Sequence, residues 1–422
     1  MFLVRMIVNI LILISSLLIY AGYGIPGFAY LVGMTVLSYG IGLLIPKWRW
    51  SVWVGIGINA AALLLVKLQP VTGFTVLAPL GISYFTLQII TYLAEIYKGK
   101  QSPERSLLHY SLFVTYLPHM FFGPIQKYDP SLFLNRRISL DGMANGAARA
   151  LWGAFKKLIV AARAGVIVNA ISADPEQYTG AFALAAMLLY SVQLYCDFSG
   201  GMDMVLGISR MLGLHFSENF DAPYLAESMQ EFWQRWHITL GTWLRENVYI
   251  PLGGNRKGKI RKVMNLVVTF LVSGIWHGVE YLLWGMLNGL FVAVGKKLQT
   301  KWKTLNRIGT FLLVTMLWSF FIWPHTATAL KMLASLVTTC NYSTFIDQIM
   351  TLGLTSGDWI VMGISAVLIW IYDVHAQQLR LRFSCSSAVV KTGIICLLAL
   401  LVLVFGMYGI GFRAEAFIYS RF

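Results

Sequence analysis

Charge is scarce in this sequence. Only 12% of its 422 residues are Asp, Glu, Lys or Arg, against 57% hydrophobic, and the mean hydropathy is +0.67. That balance excludes a soluble globule and indicates a polytopic membrane protein. Acidic residues are scarcest: 18 Asp and Glu face 33 Lys and Arg, for a net charge of +15. The positive charge sits in short loops such as 255–262 and 296–307. It reads as membrane topology and contact with anionic lipid headgroups. No basic domain stands outside the apolar segments, which argues against nucleic acid as a partner.

Cysteine is rare as well. Cys196, Cys340, Cys385 and Cys396 show no CxxC spacing, so neither a disulfide framework nor a zinc site is indicated. There is no GxSxG elbow, HExxH helix or Walker loop, so serine-nucleophile, zincin and P-loop chemistries have no motif. No internal repeat, low-complexity stretch or long linker is visible, and 1–422 reads as a single membrane domain. The N-terminal run MFLVRMIVNILILISSLLIYAG lacks a small-x-small cleavage site, so a retained first helix is expected.

What is present is a long series of apolar segments. A span needs about 20 apolar residues. Candidates are 6–22, 27–45, 51–66, 79–96, 107–123, 150–170, 181–198 and 202–214, then 264–276, 279–295, 308–323, 326–340, 358–373 and 391–411. Several are too short to cross alone. The expectation is an all-α polytopic protein with roughly 11 transmembrane helices, the rest re-entrant or short. Lys47 and Arg49 place the second loop, and with it the N-terminus, on the cytoplasmic side.

The most unusual stretch is 228–290, within a core motif region of 79–290. Read as one helix from Ser228 to about Val248, it puts Trp233, His237, Leu240 and Leu244 on one face. Glu231 and Arg235, four apart, can pair. Pro251, Gly253 and Gly254 end the helix, and the basic loop after them belongs on the cytoplasmic side. Trp233, Trp236 and Trp243 read as an interfacial belt. If 264–290 is roughly helical, Gly274, Gly278, Gly285 and Gly289 form a close-packing face. Gly278 is where that helix could break. Beside the glycines His277, Glu280, Trp284 and Asn288 form a polar stripe that reads as a cavity wall.

Three other segments are unusually polar. In 79–98, Ser83, Gln88 and Glu95 interrupt an apolar helix. In 115–128, two prolines break any straight helix. In 190–221, Asp197 and Asp203 lie in apolar surroundings, Asp197 ahead of a flexible Ser199-Gly200-Gly201. Both aspartates are as well suited to pairing with Arg210 or capping helices as to touching substrate. His109, His119, His215, His325 and His375 read as structural.

The strings YCDFSGGMDMVLGISRMLGLHFSENF, FWQRWHITLGTWLRENVYIPLGGNRKG and SGIWHG together resemble the membrane-bound O-acyltransferase (MBOAT) family. The nearest branch is the bacterial one typified by the membrane subunit of alginate O-acetyltransferase. PLGISYFTLQ, YLPHMFFGPIQKY and the terminal EAFIYSRF fit the same branch. The resemblance implies a funnel-like helical fold with a tunnel through the membrane. It implies acyl transfer centred on His277, with His237 at the second family histidine position. Asn288 stands where relatives often carry a histidine, Trp318–Trp323 lacks a usual arginine, and Arg421 stands where a glutamine is usual.

Acyl transfer from a thioester to a hydroxyl needs a base, and a neutral histidine near pH 7 suits that task. A donor to the developing oxyanion is also needed; His237, Asn288 and Trp284 each qualify. Arg235 and Arg245 are candidates for contact with the acyl donor. The expectation is a multi-pass plasma-membrane O-acyltransferase. It has no bound cofactor or metal, and its donor is acetyl-CoA, another acyl-CoA or an acyl carrier protein. Its acceptor is an extracytoplasmic glycan, reached directly or through the SGNH-type esterase-like partner that the resemblance implies. D-alanyl transfer to teichoic acid is the rival within the class. A transporter or flippase is the rival outside it, although no paired halves with interrupted helices are visible.

Overall fold

The computed structural model describes residues 2–295, 299–339 and 342–408. Cys340, part of the 296–307 loop and the C-terminal EAFIYSRF with Arg421 lie outside the described residues. Among the described residues the chain is helical, with one isolated β-bridge between Phe220 and Trp236. The chain divides into two compact units: Met1–Met143 with Ser209–Ser217, and Ala144–Ile208 with Glu218–Phe422.

The first unit holds α1 (Phe2–Gly22), α2 (Ile25–Leu44), α3 (Ser51–Thr72), α4 (Ile82–Tyr97), α5 (Leu107–Thr115), α6 (Leu117–Phe122) and α7 (Ser131–Leu134). Every residue of α4 except Glu95 and Tyr97 is buried. A helix apolar on all faces is a core helix rather than a lipid-facing one. Its polar side chains are therefore interior groups. A Cβ on Gly55 would fall 2.7 Å from Leu93, so α3 meets α4 closely because position 55 carries no side chain. The proline pattern breaks the next segment as expected, with α5 ending at Thr115 and Pro118 in the first turn of α6. His119 is buried against the Phe216 ring at 3.8 Å.

α8 (Leu140–Phe155) leads into the second unit, followed by a π-helical turn at Lys156–Ala161, α9 (Ala162–Ala173) and α10 (Ala181–Met211). α11 (Met229–Arg235), α12 (Ile238–Leu244), α13 (Gly258–His277) and α14 (Leu282–Val294) come next. The chain then forms α15 (Lys303–Leu317), α16 (Ser319–Ile322), α17 (Thr326–Thr338), α18 (Tyr342–Ile349), α19 (Ser356–Cys385) and α20 (Ala388–Phe405). Among the described residues six helical stretches are long and apolar enough to cross a membrane: Ile25–Leu44, Ser51–Thr72, Ala181–Met211, Lys303–Ile322, Ser356–Cys385 and Ala388–Phe405. Shorter apolar helices accompany them. Length and composition support a multi-pass membrane protein; they do not reach eleven spans.

Three local expectations are corrected. Segments 181–198 and 202–214 are not separate: α10 runs unbroken for 31 residues. Ser199-Gly200-Gly201 is helical rather than flexible. A Cβ on Gly200 would sit 2.7 Å from the Gly153 carbonyl oxygen, so the glycines serve a tight crossing of α8 and α10.

The segment Ser228–Val248 is not one helix. Ser228 caps α11 by accepting the Glu231 amide at 3.2 Å, but the helix stops at Arg235. His237 takes a left-handed conformation (φ 47°, ψ 53°), uncommon for a residue with a Cβ. Pairing across the chain supplies the reason. The Asp221 amide donates to the Arg235 carbonyl at 3.0 Å, and the Ile238 amide to the Asn219 carbonyl at 3.0 Å.

The segment 264–290 breaks at Gly278 into a hairpin of α13 and α14. The glycines line its seam: a Cβ on Gly285 would meet the Phe270 carbonyl oxygen at 2.4 Å, and one on Gly289 the Cα of Val267 at 2.7 Å. The close-packing face is real, and the helix it receives is the other half of the same segment.

Candidate active site

The hairpin and the broken α11–α12 pair line a cavity of 520 Å³, within the usual range for a small-molecule site. His237 and His277 both line it. On α13 its wall is Lys262, Leu266, Thr269, Phe270, Ser273 and His277. These positions recur at three- and four-residue steps, which is one helix face. Fifteen residues at 1.5 Å each make that face about 22 Å long. One end carries Arg245, Asn255 and Lys262, beside the basic loop 255–262; the other ends at His277. The Asn265 side chain fixes the basic end by donating to the Gly254 carbonyl at 2.8 Å.

His277 closes α13 and is 4% exposed. Four aromatic rings surround its imidazole, with centroids at 4.7 Å (Trp276), 5.5 Å (Trp284), 5.5 Å (Phe321) and 6.4 Å (Tyr281). All four meet it edge to face, an arrangement suited to ring quadrupoles. His237 is 2% exposed. It contacts Phe198 at 4.9 Å and Trp276 at 6.1 Å. Trp276 thus touches both histidines. His237 lies between two seven-residue helices, neither long enough to cross a membrane. There, burial pushes its pKa down to about 3, because a low-dielectric surrounding disfavours the charged ring.

The remaining sequence-derived candidates lie elsewhere. Asn288 is buried behind the wall: it accepts the Trp233 indole hydrogen at 3.1 Å and donates to the Trp284 carbonyl at 2.9 Å. Trp233 itself lines the cavity. Trp284 is 1% exposed and packs on His277 without lining the cavity. Glu280 lies past the Gly278 break, so the stripe His277, Glu280, Trp284 and Asn288 is not continuous. The cavity face of α13 runs the other way, back from His277 through Ser273 and Thr269. Trp236 is 1% exposed, so it and Trp233 are interior groups rather than an interfacial belt.

Arg235 pairs with Glu231 at 2.7 Å and donates to the Asp221 carbonyl at 3.3 Å. It braces the loop that carries His237 and does not line the cavity. Asp197 pairs with Lys157. Asp203 pairs with Lys156 at 2.7 Å and Arg149 at 2.9 Å. Arg149 continues to Glu218 at 2.7 Å. The partners of both aspartates come from α8 and the π turn rather than from Arg210. Sequence reading also missed the cavity hydroxyls Thr269 and Ser273. The signal available for them was their helical register with His277. Among the described residues no three of His, Cys, Asp and Glu converge as metal ligands would.

A helical membrane protein with a histidine-lined internal cavity is the class defined so far. Residues 73–339 match the family model for MBOAT, the membrane-bound O-acyltransferase family, and the chain belongs to that family. It is an O-acyltransferase. A "probable alginate O-acetylase" of Pseudomonas syringae pv. tomato is 36% identical over 346 residues, 74% of this chain and 67% of that protein. The peptidoglycan O-acetyltransferase of Helicobacter pylori is 30% identical over 384 residues, 77% of this chain and 73% of its own. The teichoic acid D-alanyltransferase of Streptococcus thermophilus is more distant, 27% identical over 279 residues, 61% of this chain and 67% of its own.

Proposed function

We propose that this protein moves an acetyl group from a cytoplasmic thioester to a hydroxyl of an extracytoplasmic polysaccharide, with His277 as general base. The observation that carries the proposal is a single cavity joining His277 to a basic end at Arg245 and Lys262. Loops rich in Lys and Arg face the cytoplasm, so a donor bearing anionic phosphates reaches that end. The α13 face then leads its acyl arm to the imidazole. Acetyl-CoA and a charged acyl carrier protein both fit that description. The acetyl group and the polysaccharide acceptor follow the names of the alginate and peptidoglycan relatives. These match over more of the chain than the D-alanyl transferases do.

In the reaction the base takes the hydroxyl proton as the oxygen bonds the acyl carbon. The carbon–sulfur bond breaks, and the thiolate recovers the proton. A positioned base contributes about 10²–10⁴ in rate. Alignment of two substrates in the cavity supplies more. An SGNH-type partner outside the plasma membrane completes delivery to long glycans.

Mass spectrometry of envelope polysaccharides from cells with and without the protein tests the proposal. Loss of O-acetyl groups is the expected result. Loss of D-alanyl esters with O-acetyl groups intact would replace the acetyl reading, and no change in either would refute it.

A further inference from the structure

A second cavity, of 550 Å³, lies in the second unit between α10, α15 and α19. It shares no lining residue with the reaction cavity. Its Tyr195 and Tyr224 rings stand 6.2 and 6.0 Å from the ring of Trp236, which lines the other one. The side walls are apolar: Ile308 and Phe311 on α15, Ile369 and Trp370 on α19. Ile308 is 51% exposed and Trp370 58%. Both helices belong to stretches long and apolar enough to cross a membrane, so the opening between them faces lipid rather than water.

Two charged residues also line this cavity, Arg307 from α15 and Asp373 from α19. Lys296, Lys297, Lys301 and Lys303 precede Arg307 in the sequence, which puts this end of α15 on the cytoplasmic side. α19 kinks at His375 and then carries Arg380 and Arg382, so Asp373 stands at the same end. Among the described residues Arg307 gives one N–H to Glu227 at 3.2 Å, out of the five a guanidinium holds. Asp373 accepts one hydrogen, from the Tyr195 hydroxyl at 2.7 Å. The cations whose fields reach Asp373, Lys156 and Arg380, are paired with Asp203 and Glu218.

We propose that this cavity binds a phosphatidylethanolamine molecule of the cytoplasmic leaflet, with its phosphate on Arg307, its ammonium on Asp373 and an acyl chain between α15 and α19. Charge selects the headgroup. A carboxylate in apolar surroundings inside a membrane protein calls for a cationic partner. With Glu227 counted, one guanidinium faces two carboxylates. An anionic headgroup therefore gains nothing here, although the chain as a whole carries +15. A primary ammonium brings three N–H donors to the Asp373 carboxylate, and the phosphate beside it meets the guanidinium fork. The inference needs the membrane but not the proposed reaction.

The test places the full-length protein in nanodiscs of equal parts phosphatidylethanolamine and phosphatidylglycerol. Native mass spectrometry then reads which lipid stays on the released protein. Wild type is expected to retain phosphatidylethanolamine above its share of the bilayer. Asp373→Asn still accepts the Tyr195 hydrogen but loses the charge, and its preference for that lipid is expected to fall about tenfold. Arg307→Gln, at an exposed position, is expected to lower retention of both lipids. Ile308→Trp fills the opening and is expected to remove the retained lipid at normal abundance. Wild type that keeps phosphatidylglycerol equally or better, or keeps no lipid, would overturn the proposal. So would an undiminished preference in Asp373→Asn. If a variant fails to accumulate, the wild-type comparison decides alone. Acyl transfer is not the readout, so failure of the proposed reaction leaves this result standing.

Discussion

The side-chain oxygen of Asn288 accepts the indole hydrogen of Trp233 at 3.1 Å. Trp233 lines the cavity and Asn288 does not, so Asn288 acts on the cavity by holding that ring. Asn288→Ala frees the indole and orphans its hydrogen, a loss of about 1 kcal/mol. The expected outcome is a severalfold rise in donor KM with a smaller change in kcat. Steady-state kinetics on membranes measures it. A fall in kcat alone would instead place Asn288 at the reacting atoms.

Ser273 stands one helical turn before His277 on the cavity face, and it is buried. If acyl donors pass along this face, bulk at position 273 blocks them. Ser273→Ala is expected to retain activity within about threefold, the scale of one modest hydrogen bond. Ser273→Phe is expected to abolish transfer while abundance and thermal midpoint stay near wild type. Transfer at a wild-type rate by Ser273→Phe would mean that the donor takes another route.

Asp203 anchors a buried ionic cluster with Lys156 and Arg149. Neutralising it leaves the buried Lys156 ammonium without its carboxylate, while Arg149 keeps its pair with Glu218. Breaking a buried pair by removing one partner costs about 3 kcal/mol or more. Asp203→Asn should therefore lower the thermal midpoint in detergent and reduce abundance. Joint replacement of Lys156 and Asp203 by apolar residues should be milder than either change alone. Equal stability of Asp203→Asn and wild type would show that the cluster contributes nothing to the fold.

Much of this architecture could be read from the residues, but unevenly. Low charge and long apolar runs announce the membrane. The Ser228 cap and the Glu231–Arg235 pair obey local rules and were legible. The glycine face was legible too, but not its partner: Gly278 breaks the helix, and the two halves pack on each other. The break at His237 carries no local signal. A residue with a Cβ was forced into a left-handed turn by pairing with 219–221, a long-range interaction that helical periodicity does not report. Asp197 and Asp203 looked like site residues because isolated charge in apolar sequence suggests function; their lysine and arginine partners lie some 40–54 positions away. The polar register at His277 was correct in period and wrong in direction, since it continues backward through Ser273 and Thr269.

The most direct test of the central claim compares wild-type protein and His277→Ala at equal abundance, in membranes given labelled acetyl-CoA and acceptor polysaccharide. The base reading predicts loss of label transfer by about 10²–10⁴-fold with the thermal midpoint preserved. Undiminished transfer by the variant would contradict it.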